Sequence, residues 1–225
     1  MTTAQSVVEQ RLIARRVLLD MVRRRQRPGA ASGLRALMDG RARARQRWHR
    51  EVGETLAGVP HAMAGAVAAN EYMAPRQTTD LDVFVTTRSI GRAERSLEQA
   101  GWERVGDLRF ADGWTGSRWR RKGRDVDLIA VRAGWASEGI RAARDNVLGG
   151  RRVLTLPYLV LAKLTSTRSI DLGDLSRVLG AASDEDLDEV RRVVRRWARP
   201  EDIEDLEPLI ASGKLEWVGQ PEPPP

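Results

Sequence analysis

The chain has 225 residues, 41% hydrophobic and 31% charged: enough apolar material to pack a core in one domain or two small ones, and too much for wholesale disorder. It has no cysteine, which excludes a disulfide framework, thiol catalysis and thiolate metal sites and fits a reducing cytoplasm. Only His49 and His61 offer imidazole, so any metal site would be built mainly from carboxylates, a donor set suited to a hard ion such as magnesium. Neither a membrane span nor a signal peptide is expected, because no apolar run approaches the ~20 residues a span needs and the first residues lack a signal's apolar middle.

Charge is unevenly placed. Residues 1–58 hold 13 Lys+Arg against 5 Asp+Glu, a net of +8, and the remainder holds 25 against 26, a net of −1, giving +7 in all. A basic arm on a balanced body attracts a nucleic acid or another acidic partner. Arginines outnumber lysines 35 to 3, so a general arginine bias with one highly charged helical face accounts for the same count.

In chain order, apolar residues at helical spacing predict a helix over Ser6 to Arg25, broken at Arg27-Pro28-Gly29. A second helix is predicted from about Ser32 into Leu56, ending near Gly58-Val59-Pro60. Then follow a short strand at His61 to Ala64, an alanine-rich helix from Gly65 to Met73 stopped by Pro75, and a strand from Thr79 to Thr86. A helix over Ser89 to Ala100 is closed by Gly101. Trp102 to Val131 has strand and turn character, with turn signals at Ala111-Asp112-Gly113 and Lys122-Gly123 and an apolar strand from Asp125 to Val131. A helix near Ser137 to Arg144 and a strand at Arg152 to Leu154 come next. Pro157 suits the first turn of a helix running to about Thr167. Further helices are predicted at Asp171 to Leu179, at Asp184 to Trp197 with Ser183 as N-cap, and at about Glu201 to Ala211; Pro221 to Pro225 is too polar and proline-rich for a core. The expected organisation is a basic helical region over 1–58, an α/β core over 59–155, a helical region over 156–215 and a disordered tail over 216–225, an α+β fold.

The residues able to carry chemistry are carboxylates. Asp80 and Asp82 are two apart on one predicted strand, so both leave from the same face about 7 Å apart and can share a magnesium ion or help bridge two. A solvent-facing edge strand would show the same alternation. Asp125 and Asp127 open the second apolar strand. Convergence of the two pairs would be costly without a cation or proton between them. Alternatively, Asp125 and Asp127 are paired with Arg120, Arg121 or Arg124. Ala64-Gly65 falls where a strand turns into a helix, a place where small residues let a phosphate approach free backbone N–H groups; small residues also serve tight helix–strand packing. Trp114 and Trp119, with Arg118, Arg120 and Arg121, offer either a base-stacking hairpin or one packed by cross-strand tryptophans.

These pieces occur in a fixed order: Gly65 and Ala68; Arg76, Thr78, Asp80 and Asp82; Asp127; then Lys163, Leu164, Arg168, Asp171, Asp174 and Leu175. From about Pro60 to Gly180 that order resembles the nucleotidyltransferase superfamily with the DNA polymerase β-type palm. It is most similar to the bacterial minimal and toxin-type members found in abortive-infection and toxin–antitoxin systems. Ala64 stands where the family pattern has the first of two glycines. The resemblance implies a small mixed-sheet palm flanked by N-terminal helices and a C-terminal helical part. It implies Asp80, Asp82 and Asp127 as catalytic residues and ligands of one or two Mg2+ ions, with Asp127 helping to activate the incoming hydroxyl. Gly65 with Ala64 would seat the phosphates of an NTP, and Lys163 would reach the triphosphate; alternatively Lys163 packs in its helix, and Arg168, Asp171 and Asp174 form a salt-bridged turn. The implied activity is transfer of a nucleoside monophosphate from an NTP to a hydroxyl of a macromolecule, with pyrophosphate released. A tRNA end is the expected acceptor, reached through Arg23, Arg24 and Arg25, and an antitoxin protein is an expected partner. Two other readings stand beside it: a catalytically silent module binding RNA or protein, and an enzyme modifying a small molecule such as an antibiotic.

Overall fold

A computed structural model describes residues 47–76, 78–109, 113–165 and 169–217. The helix expected over Ser6 to Arg25, Arg23–Arg25 themselves, Arg168 and the tail Pro221 to Pro225 lie outside the described residues. The chain divides into two units, Met1–Trp48 and His49–Pro225.

The second unit begins within helix α1 (47–55); Val52 of that helix and Leu56 just after it are fully buried. Strand β1 (His61–Met63) leads through a turn into α2 (Gly65–Ala69), and β2 (Asp80–Val85) comes after a loop. Helix α3 (Ile90–Gln99) precedes three consecutive antiparallel strands, β3 (Glu103–Arg109), β4 (Trp114–Arg121) and β5 (Arg124–Val131). Helix α4 (Trp135–Ala142) and a small ribbon of β6 (Val147–Leu148) with β7 (Arg151–Arg152) lead to four final helices. These are α5 (Leu156–Leu164), α6 (Ser169–Ala181), α7 (Asp184–Trp197) and α8 (Pro200–Trp217).

The architecture is α+β. Its sheet has five strands in the order β1-β2-β5-β4-β3, with β2 and β5 parallel in the centre and all other pairs antiparallel. Alternation sets its two faces. Leu81, Val83 and Val85 of β2 and Val126, Leu128 and Ala130 of β5 point to one face, are fully buried, and lie on the side of α3 with its Ala93 and Leu97. The other face carries Asp80, Asp82 and Phe84 from β2, and Asp125, Asp127 and Ile129 from β5. Its far end is closed by aromatic rings: Phe84 stacks on Trp135 at 5.4 Å between centroids, and both lie 5.9 Å from Trp114.

Several boundaries differ from expectation for identifiable reasons. Helix α2 stops at Ala69 instead of reaching Met73, because the Asn70 side chain leaves the helix to bond both backbone groups of Arg76. Helix α4 begins at Trp135, two residues early, where the indole enters the aromatic cluster. Helix α8 runs to Trp217 through Pro208, beyond the expected end at Ala211, because Gly213 allows its backbone to cross α6 closely at Ser176 and Gly180. Helix α7 has the expected bounds, and Ser183 forms a capping box with Asp186.

Candidate active site

Strand register brings the acidic pairs together. Across the parallel β2–β5 pair Asp80 faces Asp125 and Asp82 faces Asp127, neighbours about 4.8 Å apart in the hydrogen-bonding direction. Facing residues share a face, so the carboxylates form a block two wide and two deep. On the next strand Arg118 faces Asp127 and Arg120 faces Asp125. Both arginines use their planar forks. Arg118 donates from Nε to Asp127 Oδ1 at 2.7 Å and from Nη2 to Oδ2 at 2.6 Å, and Arg120 makes the same pair of bonds to Asp125 at 2.6 and 2.9 Å.

These contacts oppose the repulsion of packed carboxylates. The hydrogen bond from Arg120 holds the Asp125 carboxyl below its usual range, and the bond to Asp127 pushes the Arg118 guanidinium further into its charged form. Of the arginines named as partners for this pair, Arg120 takes Asp125; Asp127 takes Arg118, which the sequence alone groups with the stacking hairpin. Trp114 and Trp119 both stand on β4, so they do not form a cross-strand pair: Trp119 is buried on the α3 face, its Nε1 donating to Ser117 Oγ, and Trp114 lies on the opposite face.

The turn after β1 fits closely over Asp82. The Ala64 N–H donates to the Asp82 backbone carbonyl at 2.9 Å, and Gly65 is next with φ +55°, in the left-handed region that favours glycine. A Cβ built on Gly65 would overlap the Asp82 carboxylate, meeting its Cγ at 2.6 Å. Ahead of β2, the Thr78 hydroxyl donates to Asp80 Oδ1 at 2.7 Å.

Lys163 lies on α5 with only 5% of its side chain exposed. Its Nζ donates to Asp171 at 2.6 Å and to Asp174 at 2.8 Å, both on α6. Asp174 also accepts from Arg76 Nε at 2.7 Å and Nη2 at 2.8 Å. Burial alone would raise the Asp174 carboxyl, but the bonds from Arg76 and Lys163 outweigh it and hold it below its usual range. The Lys163–Asp171–Asp174–Arg76 network therefore ties α5 and α6 to the loop that delivers Thr78 and Asp80. Its members were legible as a motif; the link from Arg76 to Asp174, 98 residues apart, was not. His61 lies on the α3 face with Nδ1 donating to the Val59 carbonyl, and burial lowers its pKa, so it stays neutral near pH 7. His49 is buried beside Arg151.

Among the described residues, no three carboxylate or imidazole side chains converge closely enough to hold a metal ion between them. The donor chemistry nonetheless fits a hard divalent cation: Asp80, Asp82 and Asp127 share one sheet face, and the absence of a side chain at Gly65 lets the turn close onto the Asp82 carboxylate.

No protein-family model and no curated protein sequence matches the chain. Solved structures similar to it are nucleotidyltransferases. The antibiotic-resistance factor ANT(2'')-Ia shares 14% identity over 78% of this chain and 94% of its own, with a TM-score of 0.42. A candidate nucleotidyltransferase from H. pylori shares 15% over 79% of this chain and 95% of its own, TM-score 0.40. Another, from Thermotoga maritima, shares 18% over 60% of this chain and 92% of its own, TM-score 0.42. The function is therefore argued from the chain's own residues.

Proposed function

We propose that the protein is a divalent-cation-dependent nucleotidyltransferase, with residues 59–155 as its catalytic core. The observation that carries this reading is the carboxylate set Asp80, Asp82 and Asp127 on adjacent parallel strands, with the glycine turn at Gly65 packed directly against the Asp82 carboxylate. Packed carboxylates on a sheet face repel one another; Arg118 and Arg120 offset the charge of Asp127 and Asp125, and a divalent cation would do the same for Asp80 and Asp82.

Asp80 and Asp82 are assigned to hold Mg2+ with the triphosphate, and Asp127 to complete the set. When bound, the cation supplies charge neutralisation at the transferring phosphoryl group and at the departing pyrophosphate. In the transfer, the acceptor hydroxyl oxygen forms a bond to the α-phosphorus, the bond from that phosphorus to the α–β bridging oxygen breaks, and pyrophosphate leaves. Asp127 is the carboxylate assigned to take up the hydroxyl proton. Ala64 and Gly65 keep the turn narrow enough for phosphate to approach. Lys163 acts in this reading through Asp174 and Arg76, holding the loop that orients Asp80. The acceptor is proposed to be RNA, most simply a tRNA end, because the excess positive charge of residues 1–58 offsets the repulsion a polyanion meets at an acidic site.

The test is Asp80→Ala. An NTP with Mg2+ should raise the melting temperature of the parent and not of the variant, while the variant without ligand melts no lower than the parent, since removing a carboxylate relieves repulsion. Equal Mg2+-dependent stabilisation of both proteins would show that Asp80 does not serve the nucleotide.

A further inference from the structure

The fork between Arg118 and Asp127 is asymmetric. The Asp127 side chain is 7% exposed and fixed within the sheet, whereas the Arg118 side chain is 39% exposed and reaches it from the neighbouring strand. Arg118, Asp127 and Asp82 form one row across three strands, so the guanidinium meets Asp127 from the side opposite Asp82. The adjoining row is Arg120, Asp125 and Asp80, and there Asp125 is already engaged by Arg120. Arg118 therefore occupies the place of a cation at the carboxylate assigned to complete the metal set.

We propose that Arg118 is a surrogate cation: it neutralises Asp127 in the resting protein, yields that carboxylate when a divalent cation and nucleotide bind, and then turns its fork onto the nucleotide's phosphates. The inference rests on the nucleotidyl-transfer reading. A guanidinium brings one positive charge and a planar pair of donors that fits a carboxylate or a phosphate equally well. A divalent cation brings two charges and engages several carboxylates at once, which one guanidinium does not. Once released, Arg118 stays anchored in β4 beside the acidic block, where a triphosphate arriving with its cation is the complementary anion. Displacement by metal alone leaves Arg118 without a partner of equal quality, and displacement by metal with nucleotide supplies one. The two ligands consequently assist each other's binding through Arg118. No covalent bond changes in this exchange.

The experiment measures Mn2+ uptake by the full chain, from the spectrum of free Mn2+, with and without an α,β-methylene nucleoside triphosphate that does not undergo transfer. Arg118→Gln should bind Mn2+ alone at least about tenfold more tightly than the parent, the low end of what contact with an opposite charge produces. The nucleotide's enhancement of Mn2+ binding should be large in the parent and at least about tenfold smaller in the variant. A purely structural Arg118 would not move these two quantities in opposite directions. Asp127→Asn supplies a metal-free arm: with the carboxylate charge removed, Arg118 is released, and a fluorescent nucleotide in chelator should bind the variant more tightly than the parent. Mn2+ binding that is unchanged or weakened in Arg118→Gln, or nucleotide binding that does not improve in Asp127→Asn, overturns the proposal; if the parent still binds Mn2+ with nucleotide, the nucleotidyl-transfer reading stands. If neither parent nor Arg118→Gln takes up Mn2+ in the presence of nucleotide, both readings fall.

Discussion

Gly65 shows how little room surrounds the acidic block. Its φ of +55° would cost an L-residue about 1 kcal/mol, and the added methyl group would meet the Asp82 side chain. Gly65→Ala should therefore lower unfolding stability by about 1–3 kcal/mol in a urea titration. It should also abolish Mg2+-dependent stabilisation by NTP, because Asp82 must move to accommodate the methyl group. A variant of parental stability that still responds to NTP would show that Asp82 has space to spare. At this scale the sequence was informative about the turn: a small pair between a strand and a helix marks a close approach whatever passes through it. It was less informative about Arg118, because a basic hairpin contains many arginines and residue type alone does not choose among them.

Strand register makes that choice. A two-residue turn at Lys122-Gly123, with both φ values positive, sets Arg121 opposite Arg124, and counting back places Arg120 on Asp125 and Arg118 on Asp127. The turn signal was in the sequence, so the ion pairs were derivable from it by counting. The parallel alignment of Asp82 with Asp127 was not, because β2 and β5 are joined through a helix and two further strands and only packing fixes their offset. The strand expected at Arg152 to Leu154 appears as β7 at Arg151–Arg152, with Val153 bridging to Met63, whereas its partner β6, two residues before Gly149-Gly150, was too short to leave a period-2 pattern. Between helices, the decisive interaction is the network on Asp174. Its carboxyl is held below the ordinary value, so its contribution is complete above the unfolded pKa of about 4 and is lost as pH falls through the lower folded value. Asp174→Asn should thus destabilise the protein by about 3 kcal/mol at pH 7, as expected for removing one partner of a buried pair. The gap between parent and variant should narrow below about pH 4. Urea titrations at pH 7, 5, 4 and 3 measure this, and a gap independent of pH would place the stabilisation elsewhere than in ion pairing.

For the whole molecule, the order of elements from His61 to Trp197 was largely legible, since each helix and strand carries its own periodicity and stop signals. What periodicity lacks is depth: it did not reveal that Lys163, Asp171 and Asp174 lie buried together, or that an aromatic cluster closes the face carrying the carboxylates. The charge division between residues 1–58 and the rest bears on the acceptor. Replacing Arg23, Arg24 and Arg25 by glutamine should weaken RNA binding and reduce the slope of log affinity against log salt by about 0.7–0.9 for each phosphate the arm no longer neutralises. NTP binding should be unaffected. Unchanged RNA affinity and slope in filter binding across a salt series would assign the arm to a different partner.

Nucleotidyl transfer moves a nucleoside monophosphate, and not a terminal phosphate, so the position of a phosphorus label distinguishes it most directly. Each NTP, labelled in separate reactions at the α- or the γ-phosphorus, is incubated with the protein, Mg2+ and total RNA, and label retained in RNA is counted for the parent and for Asp82→Asn. The parent should place α-label in RNA, with γ-label appearing in pyrophosphate, and Asp82→Asn should transfer neither. Incorporation of γ-label, or α-label transfer undiminished in Asp82→Asn, would contradict nucleotidyl transfer at this site.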